Sequence, residues 1–318
     1  MSLEDVAAPG RQIAKFSDPQ VTASGQKRAS VALARLKTLW INSGTLCNLA
    51  CANCYIESSP RNDRLAYITT DEVRRYLNEI EEEGLGTEEI GITGGEPFMN
   101  PDLIDILCLC LERGFRVLLL TNAMRPMMKQ AERLRALRLL ARDRLTFRVS
   151  LDHYGPAVHE AERGARSWGP GIAGLQWLCR EGFGVDVAGR YLSGESDAEL
   201  RAGYQALFQE LGVPLDAYDP AQLVLFPEMD ATAEVPEITE ACWGILGKRP
   251  SDVMCASSRM VVKRKGAARP AVVACTLLPY DRAFELGESL KEASGAVPLN
   301  HPHCARFCVL GGASCSAR

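Results

Sequence analysis

Between residue 38 and about residue 226 the chain alternates short β-rich runs with longer segments of helical period, and this alternation limits the possible folds more than any other feature. The runs are Thr38–Ser43, Glu89–Thr93, Arg116–Thr121, Thr146–Leu151, Val185–Leu192 and Gln222–Phe226. Each is rich in Val, Ile, Leu or aromatic residues and is bounded by turn formers, as strands are. Between them the spacing of apolar residues predicts helices over 71–83, 101–113, 126–141, 170–181 and 197–211. Asp71 and Asp197 suit a first turn or cap, and Pro101 and Pro126 suit a first helical turn. Strands alternating with helices build βαβ units and a parallel sheet, so the class is α/β. Six units are too few for a closed eight-fold barrel. In such sheets reactive groups gather where strand C-termini meet the following loops.

Composition sets the outer limits. The 318 residues suffice for one large domain with an appendage. With 36 Lys and Arg against 40 Asp and Glu, the formal charge of −4 leaves no basic footprint for nucleic acid. No uncharged apolar window reaches membrane-spanning length, and residues 1–30 lack a signal-like apolar stretch, so neither a membrane nor secretion is expected. A cytoplasmic protein follows. Seven basic residues between Arg125 and Arg144 share a segment with Leu134, Leu137 and Leu140, which reads as a helix with a solvated outer stripe and not as a phosphate site.

The chain has 12 cysteines, too many for a disulfide framework where thiols stay reduced, and metal binding is the better explanation. Cys108, Cys110 and Cys179 lie on apolar helical stretches and read as small buried hydrophobes. Cys47, Cys51 and Cys54 fall within one loop directly after the first strand. Three soft ligands are one short of a closed structural zinc site or a simple electron-transfer cluster, each of which uses four. The spacing CxxxCxxC suggests a 4Fe-4S cluster with one iron left open, with zinc or a ferredoxin-like cluster as the alternatives.

That loop, followed at the end of the next strand by Gly94-Gly95-Glu96-Pro97, resembles the radical S-adenosylmethionine (SAM) superfamily. The resemblance implies a partial (β/α)6 TIM-like barrel, with SAM chelated to the open iron through its amino and carboxylate groups. It also implies reductive cleavage of SAM to a 5′-deoxyadenosyl radical that takes a hydrogen atom from substrate. Gly94 and Gly95 would let the backbone approach the amino acid end of SAM, with Glu96 accepting from its ammonium group and Pro97 completing the motif. Ser150-Leu151-Asp152 and His159 to Gly164 resemble two further stretches of the family, which assigns Ser150, Asp152 and Arg163 to SAM. Asn122, just after the third run, and Arg190, in the fifth, join them. Many members have an aromatic residue just before the third cysteine. Here that position is Asn53, and Tyr55 follows the cysteine, as in the SPASM-type branch. His153 reads as a surface loop histidine.

Cys255 and Cys275 flank a hairpin-like stretch, and Cys304, Cys308 and Cys315 close the chain. This resembles the SPASM or shorter twitch extension, and it implies one auxiliary 4Fe-4S cluster held by Cys255, Cys275 and two of the last three, with zinc as the alternative. Cys242 is left as a ligand, an inert thiol or a catalytic hydrogen-atom donor of the kind epimerases use. The expected organisation is an N-terminal extension over 1–37, the partial barrel over 38–235 and the cysteine-rich extension over 236–318. The expected activity is that of an oxidoreductase or epimerase, with a flavodoxin or ferredoxin as electron donor and a small molecule or peptide as substrate. Only about 37 residues precede the first strand, which leans toward a small molecule or toward a peptide delivered by a separate partner. The rival expectation is a non-catalytic iron-sulfur or zinc protein, under which Gly94 to Pro97 has no purpose.

Overall fold

The computed structural model describes residues 14–228 and 234–312. Its elements run β1 (Ser30–Val31), β2 (Thr38–Asn42), α1 (Thr70–Glu82), β3 (Glu89–Thr93), α2 (Leu103–Glu112), β4 (Arg116–Thr121), α3 (Arg125–Met128), α4 (Ala131–Ala141) and β5 (Leu145–Ser150). They continue as α5 (Pro156–Arg163), α6 (Trp168–Arg180), β6 (Gly184–Arg190), α7 (Asp197–Leu211), β7 (Leu223–Phe226), α8 (Cys242–Leu246), β8 (Ser258–Val262), β9 (Ala271–Val273), β10 (Glu285–Gly287) and β11 (Val297–Pro298).

Strands β2 to β7 pair in parallel and in sequence order, which is the α/β pattern expected from the alternation. Helix boundaries follow local chemistry. Thr69 and Glu72 form a capping box at the start of α1, and Ser196 and Glu199 repeat it for α7, one or two residues before the acids expected to cap. Val73, Tyr76, Leu77 and Ile80 recur at helical spacing and bury one face of α1 against the sheet. The helix expected over 126–141 is broken between α3 and α4 at Gln130, whose backbone (φ −101°, ψ 8°) leaves the helical well. Met127 and Leu134, on either side of the break, are both buried in the core. Helix α5 was not anticipated, because two of its eight residues, His159 and Glu162, bury polar groups and erase the apolar stripe.

Side chains alternate across the sheet. Leu39 and Ile41 join the large core under the helices, while Trp40 faces a smaller cluster with Leu118, Met260 and Val273. Trp40 also dictates a glycine on the neighbouring strand: a Cβ at Gly91 would lie 2.5 Å from the indole.

The tail hairpin does not stand apart. Strand β8 pairs in parallel with β2, and β9 and β10 follow antiparallel, so nine strands form one sheet in the order β10-β9-β8-β2-β3-β4-β5-β6-β7. The N-terminal segment packs on the tail, with β1 paired to β11, Ala29 and Val31 in the tail core, and the buried Arg28 bonded to Glu237 at 2.5 Å. The basic segment is as expected: Leu134 and Leu137 are buried, and Arg133 and Arg135 pair at the surface with Asp105 and Glu181. Cys110 is buried, and Cys108 and Cys179 pack half-buried against the core.

Candidate functional site

A cavity of ≈ 180 Å³ opens at the C-terminal ends of the parallel strands. The last residue of each of five strands lines it, namely Thr93, Thr121, Ser150, Arg190 and Phe226. Gly94, Gly95, Asn122, Asp152 and Arg163 lie on its wall, and Cys47, Cys51, Cys54 and Tyr55 reach it from the loop after β2. The parallel topology therefore brings together residues more than 140 positions apart.

The cysteine loop is held from three sides. The amide of Gly95 donates to Gly44 O at 2.8 Å and that of Glu96 to Leu46 O at 3.1 Å. A Cβ on Gly95 would lie 2.3 Å from Leu46 O, and Gly94 has φ +143°, so the close approach that these glycines permit is to the chain's own cysteine loop. Glu96 and Pro97 sit behind the wall. The Glu96 carboxylate accepts from Thr121 Oγ1 at 2.8 Å, Asn122 N at 2.9 Å and Phe98 N at 3.2 Å, which ties the end of β3 to the end of β4. Burial pushes this carboxyl up to about 7 despite those donors. Asn122 Nδ2 continues the chain to Asn48 Oδ1 in the cysteine loop at 3.0 Å.

The third hold comes from α5. Glu162 accepts from the backbone and the side-chain amide of Asn53, both at 2.8 Å, and from Arg190 Nη1 at 2.9 Å. The amide of Ala52 donates to Glu162 O at 2.8 Å. Next to it Arg163 forms a bidentate pair with Asp152, Nε to Oδ2 at 2.7 Å and Nη2 to Oδ1 at 3.0 Å. Glu162 and Asn53 escaped the sequence reading, since nothing in the sequence joins them. The one clue was that an amide stands where relatives place an aromatic ring. His153, expected at the surface, is 4% exposed: its Nδ1 accepts from Gly155 N and its Nε2 meets Glu195 at 2.8 Å.

The wall suits an anionic, sulfur-ligated group. Burial pushes the Cys47 thiol up to about 12 and raises Cys51 as well, with Arg163 opposing the latter shift. Neutral thiols are thus favoured until a metal binds, and coordination deprotonates them. Arg190 Nη2 is buried with no hydrogen-bond partner among the described residues, at the edge of the same cavity. An orphaned guanidinium nitrogen there leaves a donor for a carboxylate. Three thiols, an unpaired cationic donor and room beside them fit a 4Fe-4S cluster with SAM. Among the described residues no three His, Cys, Asp or Glu side chains are grouped around a single ion position. A cubane cluster does not ask for that, because each thiolate binds a different iron.

A second, smaller cavity of ≈ 20 Å³ lies against the tail and is lined by Cys255, Cys275, Cys304, Cys308 and His303. Cys304 and Cys308 lie four apart on a π-helical turn, Cys304–Leu310, a rare geometry frequent at functional sites. Burial pushes Cys255 up to about 11 and raises Cys304 further, with the nearby Cys275 and Cys255 adding to the latter. Leu277 lines both cavities, and Phe307 faces the first from the tail. Cys315 lies outside the described residues. Cys242 lines neither cavity; its Sγ accepts from Thr239 N at 3.4 Å, and the side chain packs half-buried beside the tail core.

Comparison with known proteins agrees with this geometry. The Radical SAM superfamily model matches residues 41–203, just over half of the chain. AlbA of Bacillus subtilis, an antilisterial bacteriocin subtilosin biosynthesis protein, is 30% identical over 143 residues, covering 45% of this chain and 30% of AlbA. The mycofactocin maturase MftC of Mycobacterium tuberculosis is 30% identical over 143 residues, covering 45% of this chain and 34% of its own. The match thus spans about a third of the length of these curated relatives. Among solved structures, Streptococcus suis SuiB bound to S-adenosylmethionine superposes with a TM-score of 0.57 at 15% identity, over 80% of this chain and 63% of SuiB. Native anSMEcpe with bound AdoMet gives 0.57 at 15% identity, over 80% of this chain and 79% of that one. These two likenesses show the fold, a partial barrel. The matched segment runs from β2 into α7 and carries the cysteine loop, the glycine pair and the Asp152–Arg163 pair, and the chain belongs to the radical SAM superfamily.

Proposed function

We propose that this chain holds a 4Fe-4S cluster through Cys47, Cys51 and Cys54, binds SAM beside it, and takes a hydrogen atom from a peptide substrate. The observation that carries this reading is the single cavity at the strand ends, where the three-thiol loop meets Gly94, Gly95 and an unpaired donor of Arg190. When bound, the cluster and SAM supply a reductively generated 5′-deoxyadenosyl radical, which does the hydrogen abstraction. The protein supplies placement. Glu162 and Asn122 fix the cysteine loop, Arg190 offers Nη2 to the carboxylate of SAM, and Ser150 offers a hydroxyl at the end of β5. Asp152 keeps the Arg163 charge in place beside the thiols. Tyr55, 37% exposed at the rim, offers a ring face to the adenine.

Phe226, Leu277 and Phe307 give the opposite wall an apolar face suited to a side chain of the substrate. Two of the likenesses support a peptide: SuiB has been solved with the precursor peptide SuiA, and AlbA takes part in making a bacteriocin. We assign an auxiliary 4Fe-4S cluster to Cys255, Cys275, Cys304 and Cys308, within an extension over 236–318 that follows an N-terminal segment over 1–37 and a barrel over 38–235. The reaction is read as an oxidation, because Cys242, the candidate hydrogen donor of an epimerase, lines neither cavity; the substrate radical would then give its remaining electron to the auxiliary cluster and a proton to solvent. A chain whose 12 cysteines are read mainly as metal ligands and not as a disulfide framework supports a cytoplasmic location, with a flavodoxin or ferredoxin as electron donor. Among the described residues no helix is long and apolar enough to cross a membrane.

Anaerobic reconstitution tests the reading. The protein should carry about eight irons as two 4Fe-4S clusters, form 5′-deoxyadenosine from SAM under reductant, and lower the mass of a peptide encoded beside its gene by two hydrogens. Iron binding without any 5′-deoxyadenosine would leave a non-catalytic iron-sulfur protein.

A further inference from the structure

Arg259 is a charged residue in the middle of the apolar strand β8, and it is 1% exposed. Its guanidinium donates four hydrogen bonds, all to backbone carbonyls: Nε to Ala293 O at 2.9 Å, Nη1 to Cys255 O at 2.6 Å and Ser258 O at 2.8 Å, and Nη2 to Gly295 O at 3.0 Å. Its donors are thus nearly satisfied, but its charge is not, because among the described residues no carboxylate pairs with it. Every other arginine buried as deeply has an acid partner or neighbour: Arg28 has Glu237 and Arg148 has Asp186. A buried cation without a counter-charge costs several kcal/mol, so something must offset it. What lies beside it is the four-cysteine cavity. Arg259 holds the carbonyl of Cys255, and its charge couples to the thiols of Cys255 and Cys275.

We propose that Arg259 is the counter-charge of the iron-sulfur cluster held by the tail cysteines and that it raises the reduction potential of that cluster. Four thiolates outweigh the charge of the iron-sulfur core, so the assembly is an anion and becomes more so on reduction. A fixed cation in a dry site stabilises the reduced form more than the oxidised one. Arg259 acts through the cluster and is a positioning residue. The inference rests on the auxiliary-cluster reading above, and the experiment separates the two.

The full chain carrying Cys51→Ala isolates the tail site, and an EPR-monitored redox titration reads its midpoint with Arg, Gln or Lys at position 259. With Arg259→Gln, at unchanged iron content, the ratio of reduced to oxidised cluster at a fixed potential should fall at least tenfold, a shift of at least about −59 mV for one electron. Arg259→Lys, which keeps the charge, should stay within threefold of the parent. An unshifted Gln variant overturns the proposal, and so do equal shifts in Gln and Lys or failure of both to fold, which would make Arg259 a structural peg. If Lys alone folds and keeps its midpoint, the charge requirement stands. If the Cys51→Ala parent binds no iron, the auxiliary-cluster reading itself fails, before any change at Arg259, and the inference falls with it.

Discussion

The two cysteine sites are built from the same side chain and differ in what surrounds it. At the barrel mouth three cysteines sit on an irregular loop and face a cavity of ≈ 180 Å³ that also holds Asn122, Ser150 and Arg190. In the tail four cysteines surround only ≈ 20 Å³, above a buried arginine and with apolar neighbours such as Val253, Leu278 and Leu299. The first has one donor too few and room beside it, which suits a metal group that must accept a further ligand. The second has enough donors and no space beside them for a further ligand, which suits a group bound once and kept. Burial raises Cys47 and Cys51 at the first site and Cys255 and Cys304 at the second, so the contrast lies in donor number and space.

The strongest test of that contrast is to remove one donor from each site. Cys51→Ala should abolish 5′-deoxyadenosine formation while the tail keeps its iron, so that iron content falls by about half. Formation at the wild-type rate would remove the barrel site from the chemistry. Cys275→Ala should lose a similar amount of iron yet still cleave SAM, with substrate turnover lost. An unchanged iron count in this variant would show that the tail holds zinc or nothing.

Much of this was legible in the sequence, and the reason is local. The six parallel strands fall within a residue or two of the β-rich runs, because a doubly covered strand needs a continuous apolar stretch and shows it. The cysteine spacing and the Gly94-Gly95 pair could be read for the same reason. The hidden parts are contacts between distant elements. Nothing in the run of residues 258–262 announces that it pairs in parallel with β2 and joins the tail hairpin to the barrel sheet. Glu162 looked like one more acid in a polar stretch until the fold set it against Asn53 and Arg190. Arg259 did leave a trace, a lone cation inside an apolar strand, but its meaning depends on which cavity the strand passes.

Smaller effects sharpen the comparison within the barrel site. Asp152→Ala leaves Arg163 buried beside the thiols without its bidentate partner and should cost about 3 kcal/mol of stability. Denaturant unfolding of the metal-free protein reads this, and a loss below about 0.5 kcal/mol would show the pair to be dispensable. The smallest effect is expected at Cys242, which lines neither cavity. Cys242→Ala should keep both iron sets, form 5′-deoxyadenosine at the wild-type rate and change stability by less than about 1 kcal/mol. Loss of iron here would make Cys242 a ligand. Solvent deuterium appearing at product carbon in wild type and not in Cys242→Ala would restore the donor role.

The central claim is that the barrel site leaves a metal position open to SAM and the tail site does not. EPR spectra of the reduced Cys275→Ala and Cys51→Ala proteins, recorded with and without SAM, test it directly. The account predicts that SAM changes the spectrum of Cys275→Ala, which keeps the three-cysteine site, and leaves that of Cys51→Ala untouched. A spectrum of Cys51→Ala that responds to SAM, or one of Cys275→Ala that does not, would contradict it.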